Sequence, residues 1–375
     1  MPGNNVADGT RGMTQAKSLE WEFPSTRYQG SKRKLLPWIY AAIKNLNFGS
    51  ALDLFGGSGV VSYLLKKMGK SVTYNDYLKF NYYIGTALIE NSCVTLSGDD
   101  IEFLLESNES RCKTFIEDTF KDMYYTDQEN QWIDRLVGNI LRLRERYANS
   151  THQYKRALAY YALFQSCLVK RPFNIFHRNN LYLRMADVLR SFGNKRTWDT
   201  PFEVLFRRFT DEINGRVFSN GKYRENRAIN QDAFEIENVD YDLVYIDPPY
   251  FSRMRPYTAC DYSQMYHFLE GLANYGDWHD LIDYSSPILH LKDGNSGWPK
   301  KSELATKFDQ LFRRFANSII VVSYKSPGIP TEEELICLLG KYKRNVSVQR
   351  LPYWYALSKL NGEPGQNIEL LLIGQ

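Results

Sequence analysis

The chain has 375 residues, 43% hydrophobic and 24% charged, with a formal net charge of +4 at pH 7. That size suits one packed core with a large insertion, and no run of about 18 apolar residues is present to span a membrane. The five cysteines (93, 112, 167, 260 and 337) and five histidines are scattered, which excludes a zinc centre or redox pair and fits buried thiols in a reducing cytoplasm.

Residues 1–24 are polar and Gly-rich, lack the apolar stretch of a secretion signal, and read as a flexible tail. Residues 27–36, Arg-Tyr-Gln-Gly-Ser-Lys-Arg-Lys-Leu-Leu, read on their own as a basic loop leading into a helix. Residues 50–55 (Ser-Ala-Leu-Asp-Leu-Phe) form a short buried strand that runs into Gly56-Gly57-Ser58-Gly59. A helix over 60–68 follows, with Val60, Val61, Leu64, Leu65 and Met68 as its apolar stripe and Gly69 as its stop. Residues 71–74 make a second strand that closes on Asn75-Asp76. Strand, glycine turn, helix and strand are one βαβ unit, so the sheet here is parallel.

The stretch from 81 to 209 is rich in helical patterning, notably over 132–147 and 154–168. Asn220-Gly221, between Val217-Phe218 and Tyr223, suggests a two-residue hairpin. The parallel pattern resumes with strands at 242–246 and 318–324. A helix at 331–339 carries Glu332, Glu333 and Glu334 in its first turn, where the macrodipole favours acids, and a last apolar strand covers 368–373. The fold class is α/β: residues 25–90 and 228–375 build the sheet domain, and 91–227 form a large, mainly helical insertion. Ligands in such folds bind beyond the carboxyl ends of the strands, where both Gly56 and Asp247 sit.

Charge is spread unevenly. Residues 168–227 hold 13 Lys and Arg against 6 Asp and Glu, a local net of +7 that leaves −3 for the rest. A basic block beside a near-neutral body suits a polyanionic partner; a solvated basic face is the plain alternative.

Two segments carry chemistry. Gly56-Gly57-Ser58-Gly59 lets the backbone approach a ligand, and the helix behind it offers free N–H groups. Asp76 lies 23 residues after Asp53, close to the spacing at which an acid holds a ribose diol in nucleoside-binding units. The loop lacks Gly-x-Gly-x-x-Gly and Gly-Lys-Ser/Thr, which speaks against nicotinamide and ATP. The second segment is Asp247-Pro248-Pro249-Tyr250, directly after an apolar strand. Two prolines fix the backbone and remove two donors, which leaves carbonyls free for a ligand. A carboxylate, a carbonyl and an aromatic face together suit a planar base bearing an amino group.

Asp53-Leu54-Phe55-Gly56-Gly57-Ser58-Gly59 resembles the first cofactor motif of amino-methyltransferases acting on DNA, and Asn75-Asp76 is similar to the second, whose acid holds the ribose. Residues 27–36 resemble the motif that precedes the first in the alpha group, the Dam-like class of adenine-specific enzymes. Ile229-Asn230-Gln231-Asp232-Ala233-Phe234 is similar to the segment whose acid binds the cofactor's adenine. The resemblance extends from Arg27 to Ile373, with Val322-Ser323-Tyr324-Lys325 and residues 368–373 similar to the family's later strands. It implies a Rossmann-like class I methyltransferase sheet with an inserted target-recognition domain. It also implies S-adenosyl-L-methionine held by Tyr28, Gly30, Lys32, Asp53, Phe55, Gly56, Gly57, Ser58, Gly59, Asp76 and Asp232, with Tyr28, Gly30 and Lys32 around its methionine part. No metal is expected.

The reaction so implied is methyl transfer to the exocyclic amino group of adenine in duplex DNA, with Asp247, Pro248, Pro249 and Tyr250 as the catalytic set. That nitrogen is a poor nucleophile because its lone pair is delocalised into the ring. Acceptors at Asp247 and the Pro248 carbonyl would localise the lone pair, Tyr250 would stack on the base, and transfer becomes a matter of orientation. The base must first leave the duplex. The family places DNA recognition in the insertion, where residues 170–180 combine cations, amides and aromatics. Arg171, Asn174, His177, Arg178 and Asn179 form the expected DNA-binding set, Arg reading guanine and Asn adenine, with the remainder on phosphates; a buried aromatic turn with a basic rim is the alternative. This stretch departs from the Dam version, so no recognition sequence carries over. The implied partners are double-stranded DNA and, in a restriction–modification setting, a cognate restriction endonuclease, and the implied location is the prokaryotic cytoplasm, at the nucleoid. Two rival readings remain at this stage: a cytosine amino-methyltransferase, which usually carries Ser in place of Asp247, and a non-catalytic DNA-binding protein on the same scaffold.

Overall fold

A computed structural model describes residues 23–107, 114–148, 150–188, 195–221, 226–237, 239–251, 261–292, 298, 301–353 and 367–375. Most of the predicted tail lies outside these. Seven strands form one mixed sheet: β1 (Ser50–Asp53), β2 (Ser71–Asn75), β3 (Arg227–Ile229), β4 (Leu243–Ile246), β5 (Ile319–Ser326), β6 (Val346–Pro352) and β7 (Ile368–Gly374). Their order is β3-β2-β1-β4-β5-β7-β6. The five strands from β3 to β5 are parallel, and β7 is antiparallel to both β5 and β6.

The predicted parallel pattern therefore ends at β5. The order of the strands reverses between β1 and β4, the crevice where ligands of such sheets bind.

Alternation along each strand supplies both faces of the sheet with apolar side chains. Ala51, Val72, Tyr74, Leu243, Tyr245, Val321, Leu371 and Ile373 belong to one core. Leu52, Leu54, Val244, Ile246, Ile320, Val322, Leu370 and Leu372 belong to the other. Helices Leu304–Arg314 and Glu332–Gly340 cover the second face through Phe308, Leu311, Leu335 and Leu339. Thr331 starts the latter helix with a capping box: its hydroxyl accepts from the Glu334 N–H at 3.1 Å, and the Glu334 carboxylate accepts from the Thr331 N–H at 2.7 Å.

The first face is covered by helices Leu36–Ile43 and Val60–Lys67 and by the helical segment between β2 and β3. The two predicted helices there are Asp127–Arg146 and Thr151–Val169. The latter is buried along nearly its whole length, and Leu158, Tyr161 and Phe164 share one core with the sheet. The helices therefore pack onto the sheet instead of hanging from it.

Three expectations need correction. Residues 217–220 form no strand; Phe218 packs edge-on against Tyr63 at 5.3 Å, and Tyr223 lies outside the described residues. Of the thiols, Cys167 is buried, but Cys93 and Cys337 are exposed. Strands β3 and β6 were not expected, because β3 has three residues and β6 is a half-exposed edge strand with no fully buried residue. Among the described residues, no helix is long and apolar enough to cross a membrane, and no cluster of His, Cys, Asp and Glu could hold a metal.

Candidate active site

The glycine turn closes β1 by wrapping around Tyr74. Gly57 and Gly59 have φ of +50° and +76°, left-handed values that favour glycine. The Gly56 N–H donates to the Asn75 carbonyl at 2.7 Å, and the Tyr74 hydroxyl donates to the Gly57 carbonyl at 2.7 Å. Asp76 accepts from the Gly57 N–H at 2.8 Å through one oxygen and from the Leu78 N–H at 2.9 Å through the other. Ser58 is buried, with its hydroxyl 3.1 Å from that of Ser31. Phe55 lies edge-on to Trp298 at 5.0 Å, and Trp298 stacks on Phe234 at 6.0 Å.

Asp232 is brought to the same end of the sheet by the loop after β3. Asn75 donates to the carbonyls of Leu54 and Gln231 and accepts from the Gln231 N–H, while Asn230 donates to the Asp76 and Tyr77 carbonyls. The Asp232 carboxylate accepts from the Phe234 N–H at 2.9 Å.

Asp53 ends β1 and is fully enclosed. One oxygen accepts from the Ser62 hydroxyl at 2.6 Å; the other, Oδ1, is buried with no hydrogen-bond partner among the described residues. Burial, and then the nearby charges of Asp247 and Asp76, push its carboxyl up to about 7 against the relief from Ser62. Burial likewise pushes Asp76 up to about 6 against its backbone hydrogen bonds. Three carboxylates thus gather at the carboxyl ends of β1, β2 and β4. Their charges oppose ionisation of Asp53, and the cluster suits a ligand carrying positive charge.

At the end of β4, Asp247-Pro248-Pro249-Tyr250 emerges with Pro248 buried and the other three half-buried. Asp247 Oδ1 accepts from Lys32 Nζ at 2.8 Å and from the Tyr250 hydroxyl at 2.9 Å. Among the described residues, Oδ2 accepts no hydrogen bond. The Lys32 ammonium also sits 4.7 Å from the centre of the Tyr250 ring, a cation–π contact. Lys32 opens the turn that leads into Leu36–Ile43, and the inward faces of Leu35 and Leu36 carry its side chain into the interior. Burial alone would lower its pKa; the charges of Asp247 and Glu369 reverse this and hold it raised. Lys32, expected beside the cofactor's methionine part, is thereby placed on Asp247.

Tyr28 stacks on Tyr262 at 5.4 Å and on Tyr266 at 5.0 Å, and its hydroxyl accepts from Asn81 at 3.2 Å. Gly30, with φ of +76°, backs onto the Tyr262 hydroxyl. The loop at 171–180 lies beside this stack: the Gln29 amide donates to the Phe173 carbonyl at 3.3 Å, and the Phe176 N–H to the Met265 carbonyl at 2.9 Å. The structure therefore brings the expected DNA-binding loop beside Tyr28 and the turn that carries Lys32.

Within that loop Arg171 corrects the sequence expectation. It is 1% exposed and donates to the carbonyls of Ile175, Tyr124 and Arg178, with its guanidinium 4.5 Å from the Tyr124 ring centre. It organises the loop from inside and is not available to a base. Asn174 is half-buried in a left-handed turn at φ +58°, and His177 is half-buried, its pKa lowered by burial and by the Arg178 and Arg171 charges. Arg178 and Asn179 are exposed, the latter donating to the Pro287 carbonyl at 3.0 Å.

Sequence reasoning missed Tyr262, Tyr266 and Glu369. The two tyrosines are four apart on helical spacing, and Glu369 is a lone acid in an apolar strand; both signals were present in the sequence.

Comparison with known proteins identifies the family. A family profile described as D12 class N6 adenine-specific DNA methyltransferase matches residues 28–335. The chain is 29% identical over 345 residues to the Type II methyltransferase M2.HphI of Haemophilus parahaemolyticus, covering 90% of this chain and 94% of that protein. It is 27% identical to Modification methylase StsI of Streptococcus sanguinis over 92% of this chain, and spans 51% of that protein's length. It is 23% identical to the Type II methyltransferase M.CviAII of Paramecium bursaria Chlorella virus 1, covering 84% and 88% of the two chains.

Proposed function

The chain belongs to the D12 class N6 adenine-specific DNA methyltransferase family, and we propose that it draws its methyl group from S-adenosyl-L-methionine bound between the glycine turn and Asp247. It is a site-specific enzyme that methylates adenine in DNA, which sets aside the cytosine and non-catalytic readings. The observation that carries the proposal is the convergence of Asp53, Asp76 and Asp247 on the carboxyl ends of three adjacent strands.

The residues present fit the co-substrate. It carries an ammonium and a sulfonium, and Asp53 offers a buried oxygen without a donor. Asp76 lies where a ribose diol would be held, and Phe55 and Asp232 flank a position suited to the adenine ring. When bound, the co-substrate supplies a methyl group on a positively charged sulfur. Asp247 does the orienting: Lys32 and Tyr250 hold Oδ1, so Oδ2 is presented to the target amino group. That group's second N–H would donate a hydrogen bond to the Pro248 carbonyl. The base reaches this point after leaving the duplex, at a cost on the order of a few kcal/mol. The order β3-β2-β1-β4-β5-β7-β6 is compatible with the Rossmann-like sheet of class I methyltransferases, with residues 91–227 as the DNA-recognition region. The modification methylases among its relatives support a role beside a cognate restriction endonuclease.

The raised pKa of Asp53 gives this reading a test. Below about 7 the free protein protonates Asp53, and pairing with a cation requires that proton to leave. Affinity for S-adenosylmethionine is therefore expected to fall as pH falls from 8 to 6, approaching tenfold per unit below the pKa. Calorimetry in buffers of different ionisation enthalpy would detect the released proton. An affinity independent of pH over that window, with no proton released, would remove Asp53 from the cofactor site.

The recognition loop gives another. Arg178→Ala is expected to change stability by less than about 0.5 kcal/mol and to weaken DNA binding. Arg171→Ala leaves buried carbonyls without their donor and is expected to cost about 3 kcal/mol. Urea unfolding and DNA gel-shift on both variants would separate the roles. Unchanged DNA affinity in Arg178→Ala would withdraw that contact.

A further inference from the structure

Lys32 donates to Asp247 at 2.8 Å and also feels the charge of Glu369, and of the two carboxylates only Asp247 has a role so far. Glu369 stands on β7 and is 1% exposed. The register places it beside Lys325 of β5 and Leu351 of β6, while Ser323 lies beside Leu371. Side chains in register share a face and alternate residues repeat it, so Tyr245, Ser323, Lys325, Glu369 and Leu371 project to the sheet face that Lys32 and the Leu36–Ile43 helix cover. The charge of Glu369 acts on Lys32, on Tyr245 and on Tyr353. The groups facing this cluster are Asp247 and Tyr250 beyond β4, Tyr245 on β4, Asp53 at the end of β1, Lys325 on β5 and Tyr353 after β6.

We propose that Glu369 is a positioning residue for methyl transfer, sharing the Lys32 ammonium with Asp247 so that the ammonium can move toward Glu369 when an adenine amino group occupies Asp247. This rests on the reading of Asp247 as the acceptor of that amino group. Two demands meet at Asp247. Without substrate, a half-buried carboxylate is stabilised by an adjacent cation. With substrate, the same cation draws electron density from the oxygens that must accept the amino protons. A second buried anion on the sheet face that Lys32 covers lets one ammonium serve both states without becoming unpaired.

The test uses the full chain, S-adenosylmethionine carrying a labelled methyl group, and genomic DNA from cells lacking adenine methylation. Glu369→Gln removes the charge and keeps the shape. At saturating co-substrate its single-turnover rate is expected to fall about tenfold, the scale of coupling between neighbouring groups, with co-substrate affinity unchanged. In a Lys32→Met background the effect of Glu369→Gln is expected to shrink below about twofold. Glu369→Asp, which keeps the charge, is expected to restore most of the rate, and carries the same cycle should Glu369→Gln fail to fold. An undiminished effect in Lys32→Met, a loss that disappears in Lys325→Met instead, or no rate change would each overturn the proposal. An active Asp247→Asn enzyme would refute the underlying reading of Asp247; an inactive one with uncoupled Glu369 would refute only the inference.

Discussion

Asp247→Asn is expected to reduce methyl transfer by about 10²–10³-fold, the loss that follows removal of a preorganised electrostatic group, with co-substrate affinity nearly unchanged. The amide puts an NH₂ where one of two acceptor oxygens stood. Tyr250 and Lys32 both donate to Oδ1, so the amide oxygen takes that position and the NH₂ faces the target amino group donor to donor. Asp247→Ala loses the same activity and should also destabilise the fold. It removes the carboxylate to which Lys32, 6% exposed at its side chain, donates, and leaves that ammonium with the charge of Glu369 alone; breaking a buried pair typically costs about 3 kcal/mol. Adding Lys32→Met to Asp247→Ala is expected to recover part of that stability, because Glu369 then loses its cation, without recovering activity. Single-turnover methylation and urea unfolding of the three variants would show the separation. Near-normal methylation by Asp247→Ala would show that the acid is not where the chemistry occurs.

Gly56→Ala is expected to cost about 3 kcal/mol, at the upper end for overpacking, and to abolish co-substrate binding. A methyl group at Gly56 would stand 2.1 Å from Cε2 of Tyr74. That ring cannot retreat: it is fully buried, its hydroxyl holds the Gly57 carbonyl, and a methyl at Gly85 on its other side would stand 2.3 Å from Cδ1. The glycine turn must therefore move, taking with it the Gly57 N–H that orients Asp76. Gly138→Ala is the control. It lies inside helix Asp127–Arg146 with nothing within 4 Å of the added methyl, and should stabilise by about 0.5–1 kcal/mol with methylation unchanged. Equilibrium unfolding and calorimetry would check both; tight co-substrate binding by Gly56→Ala would mean the turn does not shape that site.

Local signals were enough wherever one segment carries its own constraint. The run Asp53 to Gly59 can only be a strand breaking into a glycine turn, and β1, β2, β4 and β5 appear within one or two residues of their predicted bounds. The same holds for Thr331, whose position three residues before Glu334 specifies a capping box. Prediction failed where the deciding partner is remote. β3 is a strand because Asn75 and β2 offer it an edge, and β7 is antiparallel because β5 has one free side.

The family was determined by the sequence alone, and the candidate residues of the reaction centre were legible there, because short motifs with fixed backbone demands encode both. Which way each charge faces was decided only by the tertiary structure. Arg171 and Arg178 are seven residues apart in one basic loop and read alike in the sequence. The fold buries the first against Tyr124 and exposes the second, and Lys32 meets Asp247 across 215 residues. Burial sets whether a charge contacts a ligand or holds the scaffold, and burial is a property of packing between distant segments.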